Sequence, residues 1–250
     1  MSLPLTIITG ASRGLGLALA EQLLARGERV LAISRQTLPA RATPGELISW
    51  SQDLADPVPA AARLAAWLGE QDATTLASAT LINNAGVISE LAPLSEVGAV
   101  GSADLSQAIR VGLEAPLLLT AAFLRATATW AVPRKVLLIS SGLGRRAMAG
   151  SASYCAAKAG MDHLARAVAL EEAESPQGAR IVSLAPGVID TDMQQQLRDA
   201  DPSRFREHAR FVGLKTGGQL DSPAQAAAKV LRILARPDFG SQPVTDVREA

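Results

Sequence analysis

A chain of 250 residues that is 48% hydrophobic carries enough apolar surface for one large core, and a single α/β domain suits that length. Lys plus Arg and Asp plus Glu are equal at 24 each, so there is no basic excess for nucleic acid, no charged interaction arm and no steering toward a membrane surface. Cys155 is the only cysteine, which excludes an internal disulfide, and His163 and His208 lie far apart without metal-ligand spacing, so no metal site is expected.

Aromatic residues make up only 3%, so the core must be built from Leu, Ile, Val and Ala. The N-terminal stretch MSLPLTIITG runs straight into a strand pattern, without a charged leader or a cleavable apolar region. No apolar run approaches ~20 residues, and the expectation is a soluble, cytoplasmic protein.

Strands are predicted at Leu5 to Thr9, Arg29 to Ile33, Leu47 to Ser51, Thr80 to Asn83, Lys135 to Ser140 and Arg180 to Leu184. Several are continuous apolar runs, as expected of parallel strands covered on both faces. Helices are predicted at about Leu15 to Arg26, Val58 to Glu70, Ser102 to Trp130, Ser153 to Glu172 and Pro223 to Ala235. Gly112 and Pro116 are expected to split the third of these. The alternation implies right-handed crossovers and a single Rossmann-type doubly wound parallel sheet with helices on both faces, spanning 1–250. The polar segment 192–220 is too long for an ordinary loop and reads as short helices forming a lid.

The first strand runs into Thr9-Gly10-Ala11-Ser12-Arg13-Gly14-Leu15-Gly16 and then a helix. Free backbone N–H groups and the positive end of the helix dipole meet there, and glycines remove side chains where a pyrophosphate must approach. Taken alone, a ligand-free glycine turn is the competing reading. The second strand ends in Ser34-Arg35 rather than the acid that would bond a ribose 2′-hydroxyl. Arg35 and Arg13 together suit a 2′-phosphate clamp, against the alternative of two solvated surface arginines, and NADPH is the predicted cofactor.

Tyr154 and Lys158 are one helical turn apart and share a face, thirteen residues after Ser141 at the end of the fifth strand. An ammonium beside a phenol favours the phenolate, so Tyr154 is expected to have a lowered pKa and to exchange a proton with a carbonyl oxygen that Ser141 holds. Cys155 points off this face and reads as a small core residue.

With these motifs the chain resembles the short-chain dehydrogenase/reductase family over nearly its whole length. The segments Tyr154-Cys155-Ala156-Ala157-Lys158-Ala159, Ala185-Pro186-Gly187 and Asp190-Thr191-Asp192-Met193-Gln194-Gln195 resemble its sepiapterin reductase branch, which has diketone-reducing bacterial relatives. The resemblance implies catalytic Ser141, Tyr154 and Lys158, with Lys158 also bonding the nicotinamide ribose. It implies cofactor contacts at Gly10, Ser12, Arg13, Gly14, Leu15, Gly16, Ser34 and Arg35. Further contacts follow at Asp53 and Leu54 beside the adenine, at Asn84, Ala85 and Gly86, and at Pro186, Gly187, Ile189 and Thr191 beside the carboxamide. Ser141, Tyr154 and Asp246 would meet the substrate. Asp246 fits an acid that takes a pterin's guanidine-like edge, or equally a surface acid near a frayed terminus. Arg145 and Arg146 read as solvated loop residues.

One position departs from the family. Gly112 stands where an asparagine is common, and activity is expected to persist through its backbone carbonyl. The expected function is NADPH-dependent reduction of a ketone or diketone, either a sepiapterin-like side chain or an aromatic α-diketone. A dinucleotide-sensing protein with little turnover is the alternative. The implied partners are a small carbonyl substrate and further copies of the chain, as a homodimer or homotetramer.

Overall fold

The computed structural model describes residues 2–39, 42–100 and 102–249. In chain order it contains β1 (Leu3–Thr9), α1 (Gly14–Ala25), β2 (Arg29–Ser34), β3 (Glu46–Ser51), α2 (Pro57–Gly69), β4 (Leu76–Asn83), α3 (Leu94–Val100), α4 (Ser102–Ile109) and α5 (Ala115–Ala126). It continues with β5 (Arg134–Ile139), α6 (Ala152–Ala173), β6 (Arg180–Ala185), α7 (Asp192–Asp199), α8 (His208–Thr216), α9 (Pro223–Leu234) and β7 (Val244–Asp246).

The strands form one parallel sheet in the order β3-β2-β1-β4-β5-β6-β7. Successive side chains alternate between its faces, and both faces are apolar. Leu5, Ile7, Leu31 and Leu138 pack with Leu64 of α2, Phe123 of α5 and Met161 of α6. Ile8, Val30, Leu137 and Val182 pack with Leu19 and Leu23 of α1 and Val230 of α9. Double coverage explains why the strands read as unbroken apolar runs. The order reverses between β1 and β4, and there the chain leaves the sheet in opposite directions and opens a crevice at the carboxyl ends of the strands.

Two elements were not predicted and two expectations need correction. β7 and α3 carry too short a pattern to have been read from sequence. Gly112 and Pro116 do not split the long helix: α4 continues into α5 through a π-helical turn at Arg110–Glu114, with Ala115 donating to the Arg110 carbonyl. A wider turn lets the chain absorb the proline at the start of α5, where its missing N–H is tolerated. Among the described residues the continuous helix Ala103–Ala126 is also long and apolar enough to cross a membrane, although half of it is buried against the rest of the fold.

The segment 192–220 does hold two short helices, α7 and α8. Leu197 of α7, Phe211 of α8 and Phe205 between them form a small apolar cluster with Ile88, Leu91, Met148 and the ring of Tyr154. Asp190 ties this segment down through Lys215 at 2.5 Å and Arg198 at 3.7 Å.

Candidate active site

The carboxyl ends of β1, β4, β5 and β6 open on one cleft of about 1090 Å³. At its β1 end the chain turns through Gly10 and Gly14 with φ of +66° and +55°, where an L side chain is strained. A Cβ on Gly16 would lie 2.2 Å from the Gly10 carbonyl oxygen, so the turn closes only without one. Arg13 precedes α1 in extended conformation and its side chain makes no capping bond to the helix, and no acid occupies the first turn. The helix therefore presents unsatisfied N–H groups to the cleft.

Asn84 lines the cleft, but its amide braces this turn, donating to the Thr9 and Gly10 carbonyls at 3.0 and 3.2 Å. The Thr9 hydroxyl in return accepts from the Asn84 and Ala85 backbone N–H groups at 3.0 Å. The ends of β1 and β4 are thus locked together across the crevice. Ser12, Leu15, Ala85 and Gly86 complete this wall.

Ser34 is buried and donates to the Gln36 carbonyl at 2.6 Å, while Arg35 is exposed at the cleft edge. Among the described residues the Arg35 guanidinium has no hydrogen bond or ion pair. Arg13, by contrast, has a partner in the free protein. It reaches across the cleft to Asp192 at 2.5 Å, and both side chains are about two-thirds exposed or more, at 67% and 71%. Such a pair is weak and exchangeable, which leaves Arg13 available to a better anion. Asp53 accepts from the Ala55 N–H at 2.9 Å beside buried Leu54.

On the opposite wall, Pro186 and Gly187 carry the chain from β6 to Ile189, which pairs with Asp221. The Thr191 hydroxyl donates to the Ile189 carbonyl at 3.3 Å at the start of α7.

Ser141, Tyr154 and Lys158 meet in the middle of the cleft. Ser141 follows β5 in extended conformation, and its Oγ accepts from the Leu143 N–H at 3.1 Å. Tyr154 and Lys158 project from the first turns of α6. The π turn packs against them: a Cβ on Gly112 would stand 3.0 Å from that of Ala157. Gly112 therefore permits a close approach exactly one residue before the lysine, and Pro116 has no N–H to offer its carbonyl four residues back.

Burial dominates the titration of this set. It pushes the Tyr154 phenol up to about 12, against a hydrogen bond from Ser141. Burial likewise lowers Lys158 to about 8, with the Asp162 carboxylate opposing. The expected lowering of the Tyr154 pKa by Lys158 is thus overturned in the free protein. The ammonium lies 5.6 Å from the ring centre and donates to the Ile139 carbonyl at 2.7 Å, so loss of solvent around the phenol outweighs it.

Two partners escaped the sequence reading. Asp162, one turn after Lys158, is 1% exposed. It accepts from the Ser183 hydroxyl at 2.7 Å and from Arg145 Nε at 3.1 Å. Arg145 also donates to the Thr245 carbonyl at 2.9 Å, so it is a brace between the Ser141 loop, α6 and β7 rather than a solvated arginine. Asp246 is also 1% exposed, which removes the frayed-terminus alternative, and Arg248 forks onto its carboxylate at 2.8 and 2.6 Å. Gln194 on α7 lines the cleft with a buried side-chain oxygen that has no partner among the described residues. Cys155 lies 3.4 Å from the Ser151 hydroxyl, and among the described residues no cluster suits a metal ion.

The family model for short chain dehydrogenase matches residues 4–202. A benzil reductase that forms (S)-benzoin, from Bacillus cereus, is 35% identical over 248 residues, covering 97% of this chain and 98% of that one. The sepiapterin reductase of Rattus norvegicus is 32% identical, covering 94% and 92%. A crystal structure of a short-chain dehydrogenase/reductase from Burkholderia vietnamiensis superposes with a TM-score of 0.62 at 35% identity, covering 98% and 96%. The chain belongs to the short-chain dehydrogenase/reductase family. It is an oxidoreductase of the sepiapterin and benzil reductase type, acting on carbonyl or alcohol groups with a nicotinamide dinucleotide. The turn with glycine at 10, 14 and 16 and the uncapped start of α1 fit the pyrophosphate of such a cofactor.

Proposed function

We propose that this protein is an NADPH-dependent carbonyl reductase that reduces a ketone or diketone, with Tyr154 as proton donor. The observation that carries the reading is the meeting of Ser141, Tyr154 and Lys158 beside the glycine turn in one cleft. When bound, the nicotinamide supplies the hydride. Tyr154, held protonated by its burial, hydrogen-bonds the substrate oxygen and gives it the proton. Ser141 holds the same oxygen from the other side. Lys158 bonds the ribose hydroxyls and brings positive charge toward the phenol as proton transfer proceeds. The Gly112 carbonyl is assigned the relay to Lys158.

Cofactor choice rests on Arg35 and Arg13 at the position where an acid would favour NADH. The remaining contacts assigned to the dinucleotide are Gly10, Ser12, Gly14, Leu15, Gly16, Ser34, Asp53, Leu54, Asn84, Ala85, Gly86, Tyr154, Pro186, Gly187, Ile189 and Thr191. The segment 192–220 acts as a lid, and the Arg13–Asp192 pair is the contact that opens and closes with it. Leu117 on α5 and Leu170 on α6, 44% and 73% exposed, support self-association through these helices. A cytoplasmic setting is part of the same proposal.

The reading is tested by following NADPH oxidation with benzil and with sepiapterin, the substrates named by the relatives. Turnover of either supports it. Tight NADPH binding without turnover of any ketone or diketone in a broad panel would favour a dinucleotide sensor instead.

A further inference from the structure

At the far end of the cleft from the glycine turn, β7 ends in Asp246, whose side chain is 2% exposed. Both oxygens of that carboxylate are engaged from within the chain. Oδ1 accepts from the Arg248 backbone N–H at 2.9 Å and from its Nε at 2.8 Å, and Oδ2 accepts from Nη2 at 2.6 Å. Two parallel N–H bonds from one planar group are the strongest way to satisfy a carboxylate. The Arg248 side chain itself is 74% exposed and lines the cleft, so this wall shows a guanidinium face and not an acid. Arg145, bound to the neighbouring Thr245 carbonyl, adds a second guanidinium beside it.

We infer that Arg248 determines substrate specificity by occupying the bidentate face of Asp246. A substrate with two parallel N–H donors, such as the amino-pyrimidinone edge of a pterin, must displace the arginine to reach the acid. A flat aromatic carbonyl compound need not, and it gains a planar cation to stack on. The chemistry selects neutral aromatic ketones and diketones over pterin-type carbonyls. This inference rests on the carbonyl reductase reading of the cleft, but its first readout does not depend on turnover.

The test is Arg248→Ala, a substitution at an exposed side chain outside the core. Binding of pterin itself, which has no carbonyl side chain to reduce, is titrated in the presence of NADPH, and kcat/KM is measured for sepiapterin and benzil. Arg248→Ala is expected to tighten pterin binding by about tenfold or more and to raise the sepiapterin-to-benzil ratio by a similar factor. Adding Asp246→Asn should erase both gains, because an amide cannot accept two N–H bonds from one edge. Unchanged pterin affinity in Arg248→Ala overturns the inference, as does a gain that survives Asp246→Asn. Tighter pterin binding with no carbonyl reduced by any variant upholds the role of Arg248 and overturns the reductase reading instead.

Discussion

Lys158 donates its ammonium to the Ile139 carbonyl at 2.7 Å, and Asp162 stands one helical turn beyond it, bonded to Arg145 and not to the lysine. The amine is held in place by the end of β5 while remaining almost wholly out of water, at 3% exposure. A buried cation fixed by a backbone dipole rather than by a carboxylate comes at a cost to the fold, which its proposed role at the reaction site accounts for.

That cost is measurable as a pH dependence. The folded pKa of Lys158, about 8, lies below its ordinary value of 10.5, so the unfolded chain binds the extra proton between those values. Stability contributed at this site therefore rises with pH across that window. Tyr154 acts in the opposite sense: its folded value of about 12 exceeds 10.0, so stability falls again above about pH 10. Lys158→Met removes the buried charge at similar volume. It should raise Tm by a few degrees near pH 7 and abolish turnover, and the gain in Tm should shrink as pH approaches about 10. Thermal unfolding of both proteins across pH checks this.

Asp162 supports the charge on Lys158, since its carboxylate raises the lysine pKa against burial. In the free enzyme, kcat/KM for reduction should decline as pH rises through about 8 and the ammonium is lost. Asp162→Asn should move that decline to lower pH. A role limited to bracing Arg145 would lower the rate at every pH and leave the position of the limb unchanged.

The proposed preference for NADPH depends on the Arg35 guanidinium, which among the described residues has no competing partner. Arg35→Asp replaces attraction for a 2′-phosphate with repulsion, and a unit charge pair near a surface is worth up to about 4 kcal/mol before screening. The ratio of kcat/KM for NADPH over NADH should drop by about tenfold to a hundredfold. Arg13→Ala should lower it less, because Arg13 must first leave Asp192.

Gly112 is a packing requirement at the π turn. Gly112→Asn installs the residue common in the family, but its Cβ meets that of Ala157 at 3.0 Å, so α6 must move by a few tenths of an ångström. Overpacking of this kind costs about 1–3 kcal/mol. The variant should melt several degrees lower and turn over more slowly, and Ala157→Gly in the same chain should restore both.

Much of the architecture was legible because both faces of the sheet are covered and the strands therefore read as apolar runs. The Ser141, Tyr154 and Lys158 set was legible because strand end and helical spacing fix it locally. Environment was not legible. The spacing of Tyr154 and Lys158 reveals a neighbouring charge but not how completely both groups leave water, and burial reversed the expected shift of the phenol. Arg13 meets Asp192 across 179 residues, and Asp162 meets Arg145 across 17, which only the fold brings together. Pro116 and Gly112 look like helix breakers because sequence cannot show the π turn that accommodates them. Arg248 stands two residues after Asp246 and was within reach of inspection, since an arginine so close to a buried acid is a ready partner.

The most direct test is Tyr154→Phe, assayed for NADPH binding and for carbonyl reduction side by side. Loss of the phenolic proton should lower kcat by about a hundredfold or more while NADPH binds with near wild-type affinity. Wild-type turnover in the phenylalanine variant would show that the proton comes from another group and would contradict the proposed site.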